Sequence, residues 1–149
     1  MSRPLRVAID LRPLALESGG GVGLLVAQIV EELSARDVLF VGISDREVPP
    51  GRLSEPVPVW TASGAGGRIR WEALALPGIL RGLDPAPDLF HATWNHGVPK
   101  GLPFPALLSL HARVEGIEPE DWDHTSLMQL WGPRWQVYFV AAADFALFS

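Results

Sequence analysis

Cysteine is absent from the 149 residues, and Lys100 is the single lysine beside eleven arginines. Without cysteine the chain has no disulfide framework, no thiolate metal site and no cysteine nucleophile, which suits a reducing compartment. The formal net charge is −5, and no basic stripe is present to neutralise phosphates, so the sequence argues against nonspecific nucleic-acid binding. No apolar run approaches the length needed to span a bilayer.

The opening of the chain and its composition set expectations for location and size. The stretch MSRPLRVAID enters an apolar strand almost at once, with no signal-peptide pattern before it, which predicts a cytoplasmic protein. A length of 149 residues fits one domain with a sizeable core, and 48% of the residues are hydrophobic, a high share for a free-standing soluble protein. Part of the surface is therefore expected to have a cover.

Residues 5–33 predict a strand, a glycine-rich loop and an amphipathic helix. Apolar residues alternate in the strand, which is expected to end at Leu11, before Arg12 and Pro13. From Val22 to Leu33 the apolar spacing is that of a helix with one buried stripe. The connection between them carries Gly19, Gly20, Gly21 and Gly23. Residues without Cβ allow backbone N–H groups to approach a phosphate or carboxylate at the positive end of a helix, and a flexible loop explains the glycines equally well.

The spacing of this loop disfavours two common nucleotide sites. A dinucleotide fingerprint places its first glycine in the turn directly after the strand, whereas here eight residues, Arg12 to Gly19, intervene. No Lys-Ser or Lys-Thr pair follows the glycines, so the loop is not a P-loop. The sequence therefore predicts no nicotinamide or flavin, and no other cofactor. Asp10 and Arg12, at the entry to the loop, are interpreted as a pair that braces the turn.

The rest of the chain alternates short apolar strands with helical spacing. Further strands are predicted at Asp37 to Ser44, Pro56 to Trp60 (an edge), Asp88 to Ala92, Pro105 to His111 and Phe145 to Ser149. A helix is predicted over residues 68–83, kinked at Pro77, with its buried stripe at Ile69, Ala73, Leu76, Leu80 and Leu83, and two helical pieces over 126–131 and 133–143. This alternation predicts an α/β, Rossmann-like three-layer domain with about six mostly parallel strands.

In such a sheet ligands lie beyond the carboxyl ends of the strands, which makes the polar residues there the candidate site. His111 follows one strand, where a neutral imidazole can hydrogen-bond a sugar or stabilise developing charge, or can merely cap the strand with a backbone hydrogen bond. Trp94, Asn95 and His96 follow another, and an aromatic, an amide and an imidazole can together bind a sugar or be idle surface residues. His91, inside a strand, is interpreted as a core histidine. The histidine spacings match no ligand signature, so no metal site is predicted.

Five segments resemble the N-terminal domain of GT-B glycosyltransferases, specifically the family-4 retaining enzymes. VAIDLRPLALESGGGVG is similar to the family's strand, Asp-x-Arg-x-Leu and glycine loop, and WEALALPGIL resembles its Trp-Glu-x-x-x-Leu-Pro helix. DLFHATWNHGVP, LLSLHARV and AAADFALFS resemble three further segments, in the family's order. A difference is Ala112, where the family often has an aspartate after the histidine.

This resemblance implies that residues 1–149 are the acceptor-side, Rossmann-like half of a GT-B fold, and that the C-terminal domain, which binds most of the nucleotide sugar, is absent. It implies transfer of a sugar from a nucleotide-sugar donor to a hydroxyl acceptor, such as a sugar or glycolipid, with retention. The glycine loop would face the donor diphosphate or the acceptor, and His111 the transferred sugar. The isolated domain is expected to be inactive, and peripheral membrane contact is compatible with this function. The alternative is a non-catalytic Rossmann-like binding or interaction module.

Overall fold

The computed structural model describes residues 2–16, 20–94, 97–110 and 137–141. Its strands are β1 (Leu5–Asp10), β2 (Val38–Ser44), β3 (Val59–Thr61), β4 (Leu89–Ala92), β5 (Ala106–Leu110) and β6 (Val137–Ala141). Its helices are α1 (Arg12–Ala15), α2 (Gly20–Ser34), α3 (Arg68–Arg70) and α4 (Leu76–Gly82), with a π-helical turn, Trp71–Ala75, between α3 and α4.

The described strands form one sheet in the order β3-β2-β1-β4-β5-β6, and every neighbouring pair is parallel. This is the order of a doubly wound α/β sheet, in which the direction of winding reverses between the first and fourth strands. The predicted α/β fold with a mostly parallel sheet is therefore confirmed for the described residues, and the strand order is consistent with a Rossmann-like fold. The reversal between β1 and β4 is the topological switch point, where such sheets bind ligands beyond the strand ends.

Helices cover both faces of the sheet, as a three-layer domain requires. Alternate residues of β1 point to opposite sides: Val7 and Ile9 pack with Val26 of α2, whereas Ala8 packs with Leu76 of α4. A strand buried on both faces reads as a continuous apolar run. The apolar runs of β1 and β5 therefore predicted strands from the sequence alone.

One turn of helix and one strand differ from the expectation. Arg12–Ala15 is a helical turn where a loop was expected, because Pro13 suits the first turn of a helix, where an N–H would lack a partner. The predicted helix over 133–143 is wrong, since Val137–Ala141 is a strand parallel to β5. Its residues are mostly aromatic or β-branched and fit a pleated strand. The predicted strand at Phe145 to Ser149 lies outside the described residues.

The buried stripe predicted for residues 68–83 is correct only in its second half. Leu76, Leu80 and Leu83 are buried as expected, but Ile69 is 73% exposed and Trp71 is buried instead. The π turn explains the change, because its wider hydrogen-bonding pattern shifts the phase of every side chain that precedes it. Pro77 follows directly in the first turn of α4, where its missing N–H costs little.

No helix among the described residues is long and apolar enough to cross a membrane.

Asp88 holds the N-terminal segment against the sheet. Its carboxylate accepts hydrogen bonds from Arg3 Nη1 at 2.8 Å and from the backbone N–H of Arg6 at 2.9 Å. The bond from Arg3, followed by the bond from Arg6, lowers the pKa of Asp88 from 3.8 to about 2. The charged form of Asp88 is thus favoured by folding.

Acidification is expected to remove the contribution of Asp88 to stability. Its pKa is lower in the folded protein, so the contribution is complete above the unfolded value of 3.8 and declines as the pH falls towards about 2. Solvent screening of an exposed pair limits this contribution to about 1 kcal/mol or less. Urea unfolding of the protein and of Asp88→Asn should differ at neutral pH and converge as the pH approaches 2. A gap that persists at low pH contradicts the prediction.

Candidate functional site

The switch point is closed by a hydrogen bond between the strands on either side of it. Asp10 ends β1, and Thr93 directly follows β4. The Thr93 hydroxyl donates to the backbone carbonyl oxygen of Asp10 at 2.7 Å, and both residues are fully buried. Side chains that follow β1 and β4 are therefore brought to one place.

The side chain of Arg12 fills this place and is 2% exposed. Its Nε lies 3.0 Å from both carboxylate oxygens of Asp10, and its Nη2 lies 2.7 Å from Asp10 Oδ2. Its Nη1 donates to Glu72 Oε1 at 2.8 Å. The backbone N–H of Arg12 also donates to Asp10 Oδ1 at 3.0 Å. These contacts confirm that Asp10 and Arg12 brace the turn, and they add a partner 60 residues away that the sequence did not predict.

Two indole rings complete what we call the Arg12 cluster: Asp10, Arg12, Trp71, Glu72 and Trp94. The guanidinium carbon of Arg12 lies 4.5 Å from the centroid of the Trp71 ring and 5.7 Å from that of Trp94. Both distances are within the range of cation–π attraction. Trp71 is itself anchored, because its Nε1 donates to the carbonyl oxygen of Ala62 at 3.0 Å.

The charge of Arg12 is secured by its two acidic partners. Burial disfavours the charged guanidinium and so lowers its pKa. The hydrogen bonds with Asp10 and the attraction of its carboxylate, followed by the same two effects of Glu72, outweigh burial and raise the pKa of Arg12 above its ordinary value. Bidentate pairing of this kind uses the planar fork that only arginine provides. Arg12 is therefore a permanently charged group whose described bonds are internal to the protein, and it does not reach solvent to clamp a phosphate.

Gly97 brings the segment after β4 back onto the guanidinium. Its φ is +89°, a conformation that glycine adopts without strain. A Cβ at this position would lie 2.8 Å from Arg12 Nη2 and 3.3 Å from Glu72 Oε1. The close approach thus depends on the missing side chain. Sequence reasoning did not single out Gly97, although a glycine that follows a candidate loop is a signal for such an approach.

The glycines of the predicted anion loop have different surroundings. Gly20 is the first residue of α2. Gly21 is exposed, and a Cβ there would meet no described atom within 4 Å, whereas a Cβ on Gly23 would lie 3.1 Å from the carbonyl oxygen of Pro13. Gly23 therefore allows α2 to pack closely on α1. Gly19 lies outside the described residues, and binding of a ligand by Gly20 and Gly21 stays a prediction.

Gly23→Ala is expected to be less stable than Gly21→Ala by about 1–3 kcal/mol, because the Pro13 carbonyl of α1 must move to admit the methyl group. Gly21→Ala, two residues earlier in the same helix, is the matched control. It faces open space, so its stability should stay within about 0.5 kcal/mol of the original protein. Urea unfolding of both variants checks the pair, and equal effects would show that Gly23 has no packing role.

The remaining candidate residues are only partly described. Trp94 is half-buried against Arg12. Asn95, His96 and His111 lie outside the described residues. His91 is buried, and its Nε2 lies 2.7 Å from Ser109 Oγ, which confirms the interpretation of a core histidine.

A cavity of about 620 Å³ borders the Arg12 cluster on the side of Glu72 and Gly97. Arg81 and Lys100 also line this cavity.

Within the described part of the chain, no group of three or more histidine, aspartate or glutamate residues is arranged to hold a metal ion.

Comparison with known proteins gives no relative. No protein-family model matches the chain, no curated protein matches it, and no solved structure matches it. Function is therefore inferred from the residues and contacts of the chain itself.

Proposed function

We propose that residues 1–149 form the acceptor-side domain of a retaining glycosyltransferase with a GT-B fold, which transfers a sugar from a nucleotide-sugar donor to a hydroxyl acceptor. One observation carries the proposal. Three of the five segments that resemble the family each contribute to the Arg12 cluster: the first supplies Asp10 and Arg12, the second Trp71 and Glu72, and the third Trp94.

The position of this convergence supports a ligand-binding function. The cluster lies at the switch point between β1 and β4, where doubly wound sheets bind ligands. Segments that are far apart in sequence meet there through the side chains of Arg12, Glu72 and Trp94. The same edge of the sheet receives the first turn of α2, and β5 ends there at Leu110.

The proposed chemistry assigns a role to each part of this edge. The glycine loop before α2 faces the donor diphosphate or the acceptor. His111 hydrogen-bonds the transferred sugar and stabilises the charge that develops on it. The bond from the anomeric carbon to the nucleotide phosphate breaks as the acceptor hydroxyl attacks on the same face and passes its proton to the departing phosphate oxygen, so no nucleophilic carboxylate is required. The nucleotide itself is bound mainly by a second domain. Residues 1–149 alone are therefore inactive.

The proposal is tested with the gene product at its natural length, assayed with a panel of nucleotide sugars and hydroxyl acceptors, and with residues 1–149 alone. The natural-length protein is expected to form a glycoside with the anomeric configuration of the donor, which proton NMR of the product determines. Residues 1–149 alone are expected to give no transfer. Sugar binding without transfer by the natural-length protein would instead support a non-catalytic binding module.

His111→Ala in the natural-length protein is expected to lower turnover at least tenfold with an unchanged melting temperature. Loss of one hydrogen bond to a developing charge costs roughly 2.7–4 kcal/mol of transition-state stabilisation. His124→Ala is the control, because His124 has no proposed role. Equal turnover of the two variants would remove His111 from the mechanism.

A further inference from the structure

Two residues that follow β4, Trp94 and Gly97, lie close to the guanidinium of Arg12. On one side it lies 5.7 Å from the ring centroid of Trp94. On another side its Nη2 is so near Gly97 that a Cβ there would lie 2.8 Å away. One side chain therefore lies against Trp94 and closely approaches Gly97.

Arg12 is itself held rigidly by residues from two other elements. Asp10, at the end of β1, binds its Nε and Nη2, and Glu72, in the π turn, binds its Nη1. The plane of the guanidinium is thus fixed from two directions, and the Trp71 ring packs against it at 4.5 Å. A buried side chain with this many partners has a single orientation, so it provides a fixed surface for Trp94.

We propose that Arg12 is a positioning residue for sugar binding: its guanidinium fixes the indole of Trp94 at the switch point, where this ring contacts the acceptor sugar. The inference rests on the proposed function and deepens it by naming an acceptor contact and the group that orients it. Arg12 does not touch the sugar, because it is buried beneath Trp94 and Gly97 and pairs with Asp10 and Glu72.

Trp94 has the chemistry and the place that this role requires. An indole offers a rigid apolar face for the C–H surface of a sugar ring. Trp94 is half-buried, so part of its surface stays accessible, and it follows directly on Thr93, which closes the switch point. A flexible aromatic side chain would lose entropy on binding. A ring that Arg12 already fixes would lose less, and it would bind more tightly.

Two variants separate positioning of Trp94 from a general effect on the loop. Gly97→Ala inserts a methyl group against Arg12 Nη2, whereas Gly101→Ala inserts one 3.5 Å from Arg81 Nη2. Both glycines have positive φ, +89° and +69°, so both substitutions place an alanine in a conformation that favours glycine. Gly101→Ala is therefore a matched control. Arg12→Lys is a third variant, which keeps the charge but loses the planar fork.

The readout is the indole N–H signal of Trp94 in a ¹⁵N–¹H correlation spectrum of the protein, identified by its loss in Trp94→Phe. Gly97→Ala and Arg12→Lys are each expected to shift this signal, and Gly101→Ala is expected to leave it in place. If Arg12→Lys does not fold, Gly97→Ala against Gly101→Ala decides the question. An unchanged Trp94 signal in Gly97→Ala, with the fold intact, would overturn the proposal.

The sugar contact is tested separately by titrating the protein with the methyl glycosides of glucose, galactose and mannose. At least one of them is expected to shift the Trp94 signal, with an apparent affinity that falls at least threefold in Gly97→Ala and stays unchanged in Gly101→Ala. No response of Trp94 to any of these sugars would overturn its role as an acceptor contact. Failure of the proposed function is a different result, namely no glycosyl transfer by the natural-length protein.

Discussion

Arg12→Met is expected to lower the free energy of unfolding by about 3–5 kcal/mol, the usual cost of removing one partner from a buried ion pair. Methionine keeps the unbranched apolar part of the arginine side chain, so the change removes the guanidinium with its charge and hydrogen bonds. The carboxylate of Asp10 is fully buried and accepts bonds from Arg12 Nε, Nη2 and backbone N–H. Without the guanidinium it keeps only the last of these three.

Arg46→Met is the matched control for Arg12→Met. Arg46 also pairs with a neighbouring aspartate, Asp45, but its side chain is 57% exposed. Exposed pairs contribute about 0–1 kcal/mol, so this variant should be nearly as stable as the original protein. Urea unfolding at neutral pH measures both. Equal losses would mean that burial does not set the importance of the Arg12 pair.

The double variant Asp10→Asn, Arg12→Met separates loss of attraction from exposure of an uncompensated charge. An amide at position 10 carries no charge to leave buried. If the cost of Arg12→Met is mainly the unpaired carboxylate, the double variant should be more stable than Arg12→Met alone. A double variant that is less stable would show instead that the hydrogen bonds made by Asp10 itself hold the turn.

The central part of the sheet was predictable because strands such as β1 are buried on both faces. β1, β2, β4 and β5 each coincide with a short apolar run, and the helical spacing between β1 and β2 and again before β4 predicts a parallel sheet. Val137–Ala141 was missed, although the residues VYFVA carry a usable signal in their aromatic and β-branched side chains. A short apolar run fits a buried strand and a buried helix equally by periodicity alone, so the pairing with β5 decides between them.

The Arg12 cluster was predictable only in its local part. Asp10 and Arg12 are two residues apart, and their pairing follows from that spacing. Glu72 and Trp71 were not assigned to the site, since the helical stripe of residues 68–83 places other residues inside. The π turn changes that phase, and a contact over 60 residues is a property of the folded chain that no local pattern encodes.

Trp71→Ala is the second substitution with a large expected effect. It should lower the free energy of unfolding by about 3–5 kcal/mol, the range for removal of a large aromatic side chain from a core. Trp71 is 2% exposed and packs in the core beside Leu76 and Phe90. Its removal also takes away the ring beneath Arg12 and leaves the Ala62 carbonyl oxygen without the bond from Nε1.

Trp60→Ala and Trp71→Phe resolve this effect into its parts. Trp60 is 56% exposed on the edge strand β3, so its removal should cost about 1 kcal/mol or less. Trp71→Phe keeps an aromatic face for Arg12 but cannot donate to Ala62, and it should fall between the two alanine variants. Urea unfolding at one pH measures all three. If Trp71→Ala unfolds no more readily than Trp60→Ala, the core described around α4 and the fixed orientation of Arg12 above it are both wrong.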